Sequence, residues 1–177
     1  EIDFNNFANQ MGFWMATGSG KTLVLIKLME VVKRLIQNNE IPDRDLLLLV
    51  PSEDIKEQFI SEIENYNKSG EYNININDAE NINNSTQSTL RNSFGKTINL
   101  YIKRSDRISD ETKDKEISFE DIENGGKWYV FLDEAHKGQS DSSKRQAYYS
   151  ILARNGFLFN SSATFTDPSD IATTVYN

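Results

Sequence analysis

The sequence of 177 residues contains no cysteine, one histidine and only three prolines. Without cysteine, the chain cannot form a disulfide scaffold, a cysteine-based zinc site or a thiol nucleophile. The single histidine, His136, excludes a metal site built from several histidine ligands. No apolar run approaches the roughly 18 residues needed to span a bilayer, so we expect no membrane partner. No secretory signal pattern opens the chain, which favours a cytoplasmic protein.

Basic residues are also scarce: 19 lysines and arginines stand against 27 aspartates and glutamates, and the formal net charge is −8. This balance argues against a wholly basic nucleic-acid module but leaves room for a local basic groove. Lys103, Arg104 and Arg107 are the candidates for such a groove, although a solvated charged loop explains them as well. The length suits one domain with a full core. Because residue 1 is Glu1 rather than methionine, we interpret the chain as a fragment of a longer protein.

Short apolar runs alternate along the chain with segments of helical periodicity. Strands are predicted at 12–16, 46–50, 72–76, 97–102, 128–132 and 157–159, and helices at 21–37, 53–66 and 143–155. The first helix carries one narrow polar stripe, so we expect it to be buried over most of its surface; the stripe consists of Lys27, Glu30, Arg34 and Gln37. Gly156 is expected to stop the third helix, and residues 77–92, rich in Asn, Ser and Thr, are expected to form a loop. The last residues, 171–177, are typical of a helix start. This alternation predicts an α/β fold with a mostly parallel sheet and helices on both faces.

A glycine-rich segment, Ala16-Thr17-Gly18-Ser19-Gly20-Lys21-Thr22, lies between the first strand and the first helix. Small residues let backbone N–H groups curl around a phosphate, and the following helix adds the positive end of its dipole. Lys21 can reach the β and γ phosphates of ATP, and the Thr22 hydroxyl can ligate Mg²⁺. The residues predicted to bind the nucleotide are therefore Thr17, Gly18, Ser19, Gly20, Lys21 and Thr22. Met15 replaces the first glycine of the usual pattern, and a glycine turn that binds nothing is the alternative.

Two carboxylates and the histidine, Asp133-Glu134-Ala135-His136, follow the apolar run at 128–132. Parallel sheets place their ligands at the carboxyl ends of their strands. We assign Asp133 to Mg²⁺ and Glu134 to polarising the attacking water. Acidic residues at a strand end can also be solvated turn residues or a helix cap. A lone histidine is usually structural, but beside these carboxylates His136 could hydrogen-bond another element in response to nucleotide state.

Four segments, in this order, resemble the signature motifs of superfamily 2 helicases. They are motif I at Ala16 to Thr22, motif Ia at Leu48-Leu49-Val50-Pro51-Ser52, motif II in its DEAH form at Asp133 to His136, and motif III at Ser162-Ala163-Thr164. Their flanking residues are similar to those of the restriction (Res) subunit of type III restriction enzymes.

The resemblance implies that residues 1–177 form a RecA-like P-loop NTPase domain, the first of two motor domains in a longer protein. It implies that Lys21, Glu134 and His136 act in catalysis. By the same resemblance, Ser162 and Thr164 couple hydrolysis to nucleic-acid binding, and Pro51 and Ser52 contact the nucleic-acid backbone. A capped turn at 162–164 and a plain helix start at 51–52 are the alternatives.

These features together predict a nucleic-acid-dependent ATPase that uses ATP and Mg²⁺. We expect a helicase or translocase acting on DNA, duplex rather than single-stranded, in a restriction-modification or related defence system. Its expected partners are a second RecA-like domain and a methyltransferase or nuclease. The alternatives are an RNA helicase of the same superfamily and an ATP-dependent switch or scaffold that does not translocate. Since the second domain supplies arginine fingers, we expect the chain alone to bind Mg-ATP weakly and hydrolyse it poorly.

Overall fold

The computed structural model describes residues 9–16, 18–77, 95–109, 117–118, 122–133, 142–163 and 174–176. The strands are β1 (Gln10–Trp14), β2 (Asp45–Val50), β3 (Asn73–Asn77), β4 (Thr97–Arg104), β5 (Ile108–Ser109), β6 (Ile117–Ser118), β7 (Trp128–Asp133), β8 (Phe157–Ser162) and β9 (Thr174–Tyr176). The helices are α1 (Lys21–Gln37), α2 (Glu53–Asn67) and α3 (Ser142–Leu152).

Seven of these strands form one sheet in the order β3-β4-β2-β7-β8-β1-β9, and each described pair is parallel. Strands β5 and β6 form a separate short pair. Parallel strands require crossover connections. Helix α1 connects β1 to β2, α2 connects β2 to β3, and α3 connects the neighbouring strands β7 and β8. The predicted mostly parallel α/β architecture is therefore confirmed.

Helices cover both faces of this sheet. Leu46, Leu48 and Val50 of β2 lie in the core shared with α1 and α2, whereas Leu47 and Leu49 lie in the core shared with α3. All five side chains are inaccessible to solvent. Alternation along a strand points successive side chains to opposite faces, so a strand covered on both sides becomes one continuous apolar run. The leucine run of β2 has this physical origin.

The polar stripe predicted for helix α1 is exposed at Lys27 and Arg34 but buried at Glu30. Glu30 is only 5% exposed, and its carboxylate accepts hydrogen bonds from the Tyr66 hydroxyl and the Lys27 ammonium, each at 2.8 Å. Burial alone would raise the pKa of Glu30, but these bonds and the neighbouring cations lower it overall. Lys33 is also buried, and burial lowers its pKa. The apolar residues left exposed on this helix are Leu23, Val24 and Val31.

Three further expectations near the C-terminal end change. Strand β8 continues to Ser162 rather than ending at residue 159, and residues 174–176 form a strand, not a helix start. Gly156 was expected as a helix stop, but it serves close packing: a β-carbon there would lie 1.9 Å from the Trp128 carbonyl oxygen. The loop expected over 77–92 lies outside the described residues except for Asn77, which ends β3.

Candidate functional site

A cavity of about 450 Å³ opens where the carboxyl ends of the central strands meet the first turn of α1. Its wall includes Gly18, Gly20, Lys21, Thr22 and Asp133, which come from two of the predicted segments. Three residues of α2, which are Ile55, Gln58 and Glu62, also line the cavity. The structure thus brings residues more than a hundred positions apart to one place.

The glycine-rich loop is shaped by two left-handed glycines. Gly18 has φ 77° and Gly20 has φ 85°, a region that side chains with a β-carbon rarely adopt. A β-carbon at either position would meet no protein atom within 4 Å. These glycines are therefore required by the backbone path, not by contacts with neighbouring protein, and the space beside them is open. The loop is closed by a hydrogen bond from the Ser19 N–H to the Ala16 carbonyl at 3.2 Å.

The first turn of α1 presents positive charge without a side-chain cap. Its N-cap is Gly20, which has no side chain to accept from the first N–H groups, and the first turn contains no acidic residue. Unsatisfied N–H groups and the positive end of the helix dipole together favour an anion at such a terminus. Lys21, the first residue of the helix, adds a full positive charge at the same point.

Lys21 and Asp133 form a nearly buried ion pair. The Lys21 Nζ lies 3.7 Å from the Asp133 Oδ1, and the two side chains are 11% and 8% exposed. The same carboxylate oxygen accepts a hydrogen bond from the Ser161 hydroxyl at 3.1 Å. Thr22 and Asp133 therefore bring a hydroxyl and a carboxylate to one cavity, the oxygen ligands that Mg²⁺ prefers.

Ser161 was missed by the sequence reasoning, which selected its neighbour Ser162. The register of β7 and β8 places Ser161 directly opposite Asp133. Because successive residues of a strand point to opposite faces, the Ser162 side chain lies on the other face. The sequence shows only that Ser161 stands at the end of an apolar strand. It does not show which residue of the neighbouring strand lies opposite, so the pairing with Asp133 could not be predicted.

The main chain of 162–163 is tied to the strand that leads into the glycine-rich loop. The Met15 N–H donates to the Ser162 carbonyl at 3.0 Å, and the Trp14 indole N–H donates to the Ala163 carbonyl at 2.8 Å. The segments that resemble motifs I and III are therefore mechanically connected through backbone oxygens.

Ser52 caps α2. Its hydroxyl oxygen accepts from the Ile55 N–H at 3.4 Å, and Glu53 and Asp54 occupy the first turn. This is the helix-start arrangement given above as the alternative, while a contact of Pro51 and Ser52 with nucleic acid stays a prediction. The cavity is lined by later residues of α2 rather than by these two.

The basic groove suggested for 103–107 is largely neutralised. Lys103 is buried, and the Arg104 guanidinium lies 2.6 Å from the Asp106 carboxylate and 3.4 Å from that of Glu53. The hydrogen bond from Arg104 holds the pKa of Asp106 below its ordinary value. Of the three candidates, Arg107 alone presents an exposed side chain.

One family matches almost the whole chain: residues 2–167 fit the family described as type III restriction enzyme, res subunit. The chain belongs to this family. The Res-family membership confirms the resemblance drawn from the four motifs, and with the parallel sheet it makes this a RecA-like motor domain of the helicase type.

Among solved structures, the crystal structure of the UvsW helicase from bacteriophage T4 is similar to this Res-family chain. The match has a TM-score of 0.47 and 12% identity, and covers 93% of this chain and 50% of that one. The chain thus spans about half the length of that structure. No curated protein matches it in sequence.

Four predicted site residues of this Res-family domain lie outside the described residues: Thr17, Glu134, His136 and Thr164. Their roles stay predictions. Within the described ranges, no group of three or more His, Cys, Asp or Glu could hold a metal ion. None of the described helices is both long and apolar enough to cross a membrane.

Proposed function

We propose that the cavity binds Mg-ATP and that the chain is the first motor domain of an ATPase that acts on nucleic acid. The observation that carries this proposal is the uncapped N-terminus of α1, which opens on a cavity of about 450 Å³ beside the Lys21–Asp133 pair. A helix terminus, a lysine and a carboxylate at strand ends are the parts that phosphoryl transfer needs.

Each described residue has a role that its position supports. Gly18 and Gly20 leave room for the backbone to approach a phosphate. The Lys21 ammonium, which pairs with Asp133 in this structure, would also interact with the β and γ phosphates. Thr22 and Asp133 would hold Mg²⁺, which neutralises charge on the phosphates when bound. By sequence position, Glu134 follows Asp133 and would orient the water that attacks the γ phosphate in line, with His136 beside it.

Coupling to nucleic acid is proposed through β8. Met15 and Trp14 donate hydrogen bonds to the carbonyls of residues 162 and 163. A displacement of this end of β8 would therefore also displace the end of β1 and the glycine-rich loop that follows it. We propose that Ser162 and Thr164 carry this coupling, and that Pro51 and Ser52 touch the nucleic-acid backbone.

The family match supports a proposal for the polymer and for the biological system. We propose that the polymer is DNA, with duplex preferred, and that the system is restriction-modification or a related defence. A second RecA-like domain would complete the nucleotide cleft, and a methyltransferase or nuclease would be a partner. An RNA helicase and an ATP-dependent switch without translocation are the competing functions.

The deciding experiment measures ATP hydrolysis by the complete gene product without polymer and with single-stranded DNA, duplex DNA or RNA. Strong stimulation by duplex DNA supports the proposal, and stimulation by RNA replaces it with the RNA helicase. A basal rate that no polymer changes favours the switch. Glu134→Gln is the control, because a rate that survives in it comes from a contaminant or contradicts the role of Glu134.

A further inference from the structure

The wall of the cavity opposite the glycine-rich loop comes from α2, which carries none of the four motif segments beyond its N-cap. Ile55, Gln58 and Glu62 line it. Their spacing of i, i+3 and i+7 places them on one side of the helix. The neighbouring stripe of α2, with Phe59 and Ile63, is buried in the core and fixes the orientation of the helix. Helix packing therefore holds Ile55, Gln58 and Glu62 on the side of α2 that lines the cavity.

The charges that line the whole cavity do not favour an anion without a metal ion. The described lining residues include one cation, Lys21, and two carboxylates, Asp133 and Glu62. Lys21 and Asp133 lie within 3.7 Å of each other, so each offsets much of the other's charge. Glu62 then adds a further negative charge on the side that faces the first turn of α1.

The electrostatic repulsion between Glu62 and a triphosphate depends on whether the triphosphate carries its metal ion. The metal-free form is more negative than the magnesium complex, so a carboxylate on the wall opposes it more strongly. Thr22 and Asp133, which fit the metal, line the same cavity. Gln58, one turn before Glu62, is neutral, so the discrimination that α2 supplies depends on Glu62.

We propose that Glu62 is a specificity-determining residue that makes the cavity selective for Mg-ATP over metal-free ATP. This inference rests on the proposed nucleotide-binding function of the cavity. Glu62 acts by its charge at a distance, and the catalytic groups remain those of the other wall.

The test compares two dissociation constants of ATP for the complete gene product, one with Mg²⁺ and one with a chelator, at constant ionic strength. Titration calorimetry or a fluorescent ATP analogue gives both. In Glu62→Gln we expect the ratio of the metal-free to the Mg-ATP constant to fall about three- to tenfold, since one unit charge near the phosphates is removed. Raising the salt concentration should shrink this difference through screening.

Glu64→Gln is the matched control. Glu64 is exposed on the same helix, as Glu62 is, and undergoes the same charge change, but it does not line the cavity. We expect its ratio to stay within about twofold of the unmodified protein, because a residue two positions along a helix lies on its other side and Glu64 is therefore farther from the bound phosphates. Circular dichroism checks that both variants keep the fold.

Two results overturn the inference, and they can be told apart. If the unmodified protein binds Mg-ATP but Glu62→Gln shifts the ratio no more than Glu64→Gln, selectivity does not reside in Glu62 and the proposed function stands. If the unmodified complete gene product binds ATP in neither condition, the proposed function fails and the inference fails with it.

Discussion

Helices α1 and α2 both begin where a parallel strand ends, at the same edge of the sheet, yet their first turns are built in opposite ways. Helix α1 begins after a glycine with no side-chain cap and carries Lys21. Helix α2 begins after Ser52, whose hydroxyl accepts a backbone N–H, and carries Glu53 and Asp54. The first terminus has no side-chain cap, whereas the second satisfies a donor with its own side chain.

This contrast shows that a fold offers equivalent positions and that a few residues decide which one receives an anion. The acidic turn of α2 is balanced within the chain, since Glu53 pairs with Lys56 at 3.2 Å and with Arg104 at 3.4 Å. A phosphate of nucleic acid at Ser52 would have to compete with these carboxylates. The four predictions below test whether the two termini really differ in this way.

The largest expected effect comes from the lysines of the two helices. Lys21→Ala should weaken ATP binding by about 10- to 150-fold, since a charged hydrogen bond to phosphate contributes about 1.5–3 kcal/mol and the N–H groups remain. Lys56→Ala, on the other helix, should leave binding unchanged. Titration calorimetry with Mg-ATP measures both, and equal losses in the two variants would remove the distinction between the termini.

The N-cap residues give the next largest effect. Gly20→Ala forces a β-carbon into the left-handed region and into the open loop, so we expect a stability loss of about 1–2 kcal/mol and at least tenfold weaker ATP binding. Ser52→Ala removes the cap and should also cost about 1 kcal/mol, with binding retained. Urea denaturation and ATP titration separate the outcomes, and normal ATP binding by Gly20→Ala would contradict the role of the loop.

Two buried serines offer a smaller, matched comparison. Ser161→Ala removes a hydrogen bond to Asp133, so we expect about 1 kcal/mol lower stability and several-fold weaker binding of Mg-ATP. Ser105 donates to the Val50 carbonyl at the end of the strand that leads to α2. Ser105→Ala should lose similar stability without any loss of binding. If it weakens binding as much as Ser161→Ala, the hydrogen bond to Asp133 has no specific role.

The smallest effect concerns pH. The pKa of Glu53 lies below 4.5 because of hydrogen bonds from Lys56 and then Arg104, and that of Asp106 lies below 3.8 chiefly because of Arg104. Depressed pKa values stabilise the fold above the unfolded values, and this stability is lost as pH falls through the folded ones. Arg104→Gln should therefore lower the melting temperature at pH 7 and have less effect near pH 3.

Arg107→Gln is the control for that measurement, because this neighbouring arginine is exposed. We expect it to change the melting temperature little at either pH. An Arg104→Gln deficit that is as large at pH 3 as at pH 7 would mean that packing of the arginine, not its charge, matters.

Elements with strong local signals could be predicted from the sequence. Helix α1 occupies the predicted 21–37, and β2 and β7 differ from the predicted runs by one residue each. Local glycines, caps and periodicity determine these elements, so the sequence near them is sufficient. The residues Gly18 to Thr22 and Asp133 meet at one cavity because parallel strands end at one edge, which the alternation of elements already implied.

Contacts between distant segments could not be predicted in this way. The pairing of Ser161 with Asp133 depends on the register of two strands, and a shift by one residue would present Ser162 instead. The burial of Glu30 depends on Tyr66 of another helix. Likewise, the contribution of Glu62 to the cavity follows from the packing of α2 beside α1, which no local pattern encodes.

The position of β1 has a consequence for how the protein is made. Its neighbours in the sheet are β8 and β9, which are almost the whole chain away. A ribosome releases β1 before β8, and at about 5–20 residues per second the partner strand follows on the order of ten seconds later. Until then the glycine-rich loop lacks the Ser162 carbonyl that anchors it. A nascent chain that stalls before β8 would carry this loop in full without its support, so the earliest part of the candidate site to be synthesised is the last to be assembled.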